Sequence, residues 1–212
     1  MGWLKEAVEY VNWGWNALTI SAMATFFFSV LQGWGMLKQS QMIGKKTKGE
    51  SVSVVLYSYW FFYFVSFSIY GANQRSLAML ANSFLWVPCL LVLCRLMKFK
   101  KIKKIEELTF LFFCFMPMAM NLYPDKDRLF MVYLFGILIF MSFQPFEIWQ
   151  KKDGGAVSPQ LLATFFATGV FWFIYACYIG NWPLIIFNPL ACLLIYVTFV
   201  LWRKYKPQTA IN

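Results

Sequence analysis

Two asparagines are the residues most open to chemistry in this sequence. Asn82 and Asn188 each lie inside a long apolar run, where an amide is costly unless it hydrogen-bonds or faces water. Two outlets fit. The amide can join neighbouring helices, or it can face a water-filled cavity. Phe67 and Trp172 supply aromatic faces nearby in sequence, and Tyr63 and Thr168 lie one helical turn earlier. Packing toward lipid is the alternative use for the two rings. No Asp, Lys or Arg lies near the middle of a run. Glu147 sits at the end of one, beside Trp149 and Lys151, where a carboxylate can snorkel to the interface.

Other chemistry finds no support. The chain has no histidine and no clustered Ser/Cys/Asp set, so neither hydrolysis nor a metal or other cofactor is expected. Cys89, Cys94, Cys114, Cys177 and Cys192 lack zinc or redox spacing and read as small apolar filler. The expectation is a chain that is not an enzyme.

The elements that must position these residues are membrane spans. Of 212 residues, 60% are hydrophobic and 13% charged, and the charges cluster between apolar runs. Seven runs of about 20 residues suit a bilayer core of about 30 Å. They read Ala17–Leu37, Val54–Ala72, Leu77–Met97, Leu108–Tyr123, Leu129–Trp149, Gln160–Gly180 and Leu184–Trp202, the fourth being short and carrying Pro117. Met1–Asn16 carries Lys5, Glu6 and Glu9 without an apolar core, so no cleavable signal peptide is expected.

Charge sets an orientation. Of the 19 Lys and Arg residues, Lys5, Arg75, Lys126 and Arg128 fall on the N-terminal side and the other fifteen on the opposite side. That asymmetry puts the C-terminus in the cytoplasm and the N-terminus outside or in a lumen, with the plasma or inner membrane as the expected location. The same placement assigns the net charge of +10 to topology and lipid contact, and nucleic acid is not expected as a partner.

An offset of 105 residues aligns 39–72 with 144–177 without a gap. Gln39/Gln144, Lys46/Lys151, Gly49/Gly154, Val52/Val157, Ser53/Ser158 and Tyr70/Tyr175 coincide, and Asn82 meets Asn188 after one inserted residue. Chance between apolar segments explains shared Leu, Val and Phe; it does not explain shared polar residues and glycines in one register. The expected fold is an all-α membrane protein of seven transmembrane helices, two parallel three-helix bundles in a 3-1-3 layout, with a pseudo-twofold axis along the membrane normal. The first unit is expected at 1–97, a basic linker and connecting helix at 98–128, and the second unit with a short tail at 129–212. Across that axis Asn82 would face Asn188, and Phe67 would face Trp172.

These residues resemble the SWEET (MtN3/saliva) sugar transporters within the wider PQ-loop group. The second repeat carries the likeness best: Gln144, then 151–159 as Lys-Lys-Asp-Gly-Gly-Ala-Val-Ser-Pro, Trp172 to Tyr175, and Asn188-Pro189. The first matches through Gln39, Lys46, Gly49, Ser53, Tyr70-Gly71 and Asn82. The resemblance implies a uniporter of small neutral sugars working by alternating access. It implies a solute site of Asn82, Asn188, Trp172, Phe67, Tyr63 and Thr168. It also implies hinge or gating roles for Gln39, Gln144, Pro145 and Pro159. The departures are plain. Lys38 and Phe143 precede the glutamines where the family has proline, Phe67 replaces a tryptophan, and the first repeat lacks the hinge prolines. Partners implied are a small solute, the lipid bilayer and, without being required, further copies of the chain. Other PQ-loop carriers, of cationic amino acids or vitamin-like solutes, remain open, as does a receptor or scaffold on the same fold.

Overall fold

The computed structural model describes residues 2–46, 53–152 and 159–205. Every regular element among them is helical. Two short helices, α1 (Gly2–Lys5) and α2 (Val8–Val11), precede the spans. The first and second spans are α3 (Ala17–Lys46) and α4 (Val54–Asn73). The third is broken into α5 (Leu77–Ser83) and α6 (Trp86–Phe99), and the fourth into α7 (Lys104–Phe113) and α8 (Phe115–Leu122). The last three are α9 (Lys126–Lys151), α10 (Pro159–Ile179) and α11 (Trp182–Lys204). Among the described residues, seven stretches are long and apolar enough to cross a membrane. Large apolar side chains such as Phe112 (70% exposed) and Leu193 (57% exposed) stand on the outer surface, as lipid allows and water does not.

Both breaks have one cause. Pro88 and Pro117 lack an N–H, and each ring crowds the carbonyl four residues back, at Phe84 and Phe113. Around Pro88 the backbone tightens into three-residue turns, Phe84 to Ala81, Leu85 to Asn82 and Val87 to Phe84. Asn82 therefore ends a seven-residue half-helix instead of sitting inside a continuous span. α9 and α11 keep Pro145 and Pro189 without interruption.

The chain forms two compact units, 1–130 and 131–212. In the first, α4 is the hub and is the most buried of the seven spans, packing on α5, α6, α7 and α8. Tyr59 meets Phe113 and Phe62 meets Phe110 edge to face at 5.1 Å, so the fourth span belongs to this unit. α3 packs on α5 and α6, and Ser40 Oγ donates to the Leu91 carbonyl at 3.3 Å. In the second unit α10 and α11 form an antiparallel pair. α9 begins in the first unit and continues into the second.

The repeat reappears in the turns. α4 ends with Arg75 at φ 52°, and the Ser76 N–H bonds the Gly71 carbonyl. α10 ends with Gly180 at φ 68°, and the Asn181 N–H bonds the Ala176 carbonyl. Both are left-handed helix stops of the same hydrogen-bond pattern, 105 residues apart. The next residue then caps the following helix. Ser76 Oγ accepts from the Met79 N–H, and Asn181 Oδ1 accepts from the Leu184 N–H.

The first turn is close-packed. A Cβ on Gly71 would lie 2.8 Å from Met79 Cβ and 3.2 Å from the Leu80 nitrogen. Gly71→Ala is expected to cost about 1–3 kcal/mol through this overlap, read as a lowered thermal midpoint. Gly35→Ala, where a Cβ meets nothing within 4 Å, should leave the midpoint unchanged or raise it. Equal effects from both would contradict this packing.

Candidate solute site

The first unit places Asn82, Phe67 and Tyr63 on adjacent α5 and α4. Asn82 is buried, and its Nδ2 donates to Ser29 Oγ on α3 at 2.5 Å. Ser29 Oγ in turn donates to the Thr25 carbonyl at 2.6 Å. One edge of the amide is thus used as glue between spans three and one, while Oδ1 accepts no hydrogen bond among the described residues. Next to these residues, Ser68 Oγ and Ser83 Oγ share a hydrogen bond of 3.0 Å, fixing α4 and α5 at one level.

Phe67 and Tyr63 do not stand alone. Phe67 lies parallel to Phe130 of α9 at 5.3 Å and 2°, and Tyr63 stacks on Phe67 at 5.8 Å and on Phe130 at 6.0 Å. Tyr70 closes the stack, 4.0 Å from Phe130. All four rings are buried. Tyr70 Oη also donates to Asp127 Oδ1 at 2.9 Å, and Gln74 Nε2 donates to the same oxygen at 2.9 Å. The stack and this carboxylate fasten the end of α4 to the start of α9.

The second unit places Asn188, Trp172 and Thr168 on α11 and α10. Asn188 is buried, its Nδ2 donates to the Leu184 carbonyl of its own helix at 2.7 Å, and its Oδ1 likewise accepts nothing among the described residues. The helices cross at Gly169, where a Cβ would lie 2.6 Å from Cys192 Sγ and 3.9 Å from the Asn188 carbonyl. Thr168 and Asn188 are thereby brought to one level. Thr168 Oγ1 donates to the Thr164 carbonyl at 2.7 Å. Trp172 is buried and meets Tyr175 edge to face at 5.5 Å and 89°. Phe67 with Tyr70, and Trp172 with Tyr175, are equivalent ring pairs of the two units.

The asparagines are not perfect equivalents. Asn82 follows its cap, Ser76, by six residues, and Asn188 follows Asn181 by seven. The inserted residue turns them about 100° apart around their helices, and Asn82 donates to another helix where Asn188 donates to its own. Of the remaining candidates, Gln39 is half-buried, Gln144 exposed and Pro145 buried. Pro159 opens α10 and Glu147 lies on α9; both side chains fall outside the described set, as do Gly49, Val52, Gly154, Val157 and Ser158. Sequence reasoning missed Ser29, Phe130, Asp127 and Glu9. A polar residue within an apolar run and an aspartate at a span's start were the available signals for the first and third. Two shallow surface depressions lie elsewhere, one along α11 and one around Asn73, Gln74 and Pro124–Asp127.

No family model and no curated protein matches the chain by sequence. A solved structure of a eukaryotic SWEET transporter matches it in three dimensions, with a TM-score of 0.74 over 89% of this chain and 96% of that one. The chain has that fold. Sequence identity over the match is 14%, so the backbone arrangement is shared while most side chains are not. Among the described residues the fold is all helical with seven candidate membrane spans, in keeping with the apolar runs.

Proposed function

We propose that the protein is a facilitative carrier of small neutral sugars, moving them by alternating access of its two units. One observation carries the reading. Each unit buries an asparagine whose N–H is engaged and whose carbonyl oxygen accepts nothing among the described residues, and carries a buried aromatic ring, Phe67 or Trp172, on the helix packed beside it. Such an oxygen suits a sugar hydroxyl, and a ring face suits the sugar's C–H face. The likeness to a SWEET transporter structure supports a transporter. The absence of Asp, Lys and Arg from the middle of the apolar runs favours a neutral solute and uniport, because coupled carriers rely on an ionisable group there. Gln39, Gln144, Pro145 and Pro159 are the proposed flexing points. The charge asymmetry favours an N-terminus outside, and a plasma or inner membrane is the proposed location.

Uptake of a labelled panel into proteoliposomes tests this. Saturable entry of a neutral mono- or disaccharide, unaffected by collapsing a proton gradient, is expected. Entry of a cationic amino acid that depends on pH, with no sugar moved, would replace the sugar reading by the PQ-loop alternative.

A further inference from the structure

The end of α11 presents a surface the transport reading does not use. Tyr196, Phe199, Val200, Arg203 and Lys204 line one shallow groove. Their spacing puts all five on one face of the helix. The groove has two chemistries in sequence. Its first part is apolar and exposed, and its last turn carries two cations.

A third cation joins them from the end of α9. Lys152 Nζ donates to Tyr205 Oη at 3.0 Å and lies 4.9 Å from the Tyr205 ring centroid, while Lys204 Nζ lies 5.4 Å from the same centroid. Lys152 is also held over Trp149 at 5.1 Å. None of Lys152, Arg203 and Lys204 pairs with a carboxylate among the described residues. The Lys152 hydrogen bond, with the charges of Lys152 and Lys204, holds the Tyr205 phenol below its ordinary range. Like charges gathered around one ring repel, and an anion placed among them relieves that repulsion.

We propose that this face binds an anionic phospholipid, its acyl chain along Tyr196, Phe199 and Val200 and its phosphodiester among Arg203, Lys204 and Lys152. A soluble anion would satisfy the cations alone. The exposed apolar stripe running directly into them fits a molecule with both parts. Trp149 and Tyr205 mark this level as the bilayer–water boundary, where such rings settle. All three cations are exposed, so removing them leaves the helix packing intact.

The full-length protein, reconstituted in equal phosphatidylglycerol and phosphatidylcholine, tests the proposal through the lipids it retains in native mass spectrometry. Retention of phosphatidylglycerol over phosphatidylcholine by about tenfold or more is expected. The triple variant Lys152→Ala, Arg203→Ala, Lys204→Ala should lose most of it. A control removing three cations elsewhere, Lys98→Ala, Lys101→Ala, Lys103→Ala, should keep it. Equal loss in both triples, or none in either, would overturn the site. Displacement by inorganic phosphate, beyond that by chloride at matched ionic strength, would overturn the acyl-chain half and leave an anion site only.

Discussion

Asn188→Ala is expected to lower sugar flux by about tenfold while leaving the thermal midpoint of the protein nearly unchanged. Among the described residues the amide's one partner is the Leu184 carbonyl one turn back, and a helix carbonyl survives the loss of that extra bond. What disappears is an acceptor for solute, about 1.4 kcal/mol for one good hydrogen bond, or a factor of ten. Asn82→Ala should behave differently. It removes the same kind of acceptor, but it also cuts the Asn82–Ser29 bond between α5 and α3, so flux and stability both fall. Ser29→Ala separates the two effects. It breaks the bond, costing about 0.6 kcal/mol as interhelical bonds in membranes do, and keeps the Asn82 oxygen. Flux retained in Ser29→Ala and lost in Asn82→Ala would assign Asn82 to the solute. Flux lost equally in both would make Asn82 structural.

A larger stability effect is expected at Glu9. This buried carboxylate accepts from Ser76 Oγ at 3.0 Å and from the Leu77 and Ala78 N–H groups at 2.9 Å, at the N-terminus of α5. The N-terminal segment is further fixed by the Val8 N–H to the Arg75 carbonyl at 3.0 Å, and by an exposed Glu6–Arg75 ion pair of small value. Glu9→Ala strands three donors, and charged hydrogen bonds cost about 1.5–3 kcal/mol each to lose with little sharing. Even heavily discounted for water entering the gap, a loss of about 2–4 kcal/mol follows. Glu9→Gln keeps one acceptor oxygen and should fall between. Because α5 is a seven-residue piece with Asn82 at its far end, the damage should reach flux as well. Thermal unfolding of the purified variants reads this directly; a midpoint for Glu9→Ala equal to wild type would show the cap to be idle.

The architecture was legible because a bilayer sets one length scale. Seven apolar runs, separated by charge, left little room for another fold, and the ends of the spans fall within a few residues of the runs. The repeat was legible over 39–72 and 144–177, but not in the turns that follow, 105 residues apart, where Arg75–Ser76 and Gly180–Asn181 differ in residue type yet end and cap helices in the same way. The breaks at Pro88 and Pro117 were not anticipated, since proline in an apolar run signals a tolerated kink as readily as a stop. Phe130 escaped notice because aromatic residues are abundant and their stacking partners depend on tertiary geometry. Ser29 had no sequence-local link to Asn82, 53 residues away. Glu9 read as an ordinary acidic residue before a span, and only the fold brings it to the capped end of α5.

The central claim is the proposed passive movement of a neutral sugar, with Asn82 and Asn188 each offering it a carbonyl oxygen. Its most direct measurement is the steady-state ratio of labelled sugar inside and outside proteoliposomes, with and without an imposed proton gradient. The account predicts protein-dependent filling to a ratio of about one in both conditions, as uniport requires, with filling slowed severely in the Asn82→Ala, Asn188→Ala double variant. Accumulation above one that vanishes with the gradient, or filling at the wild-type rate in the double variant, would contradict it.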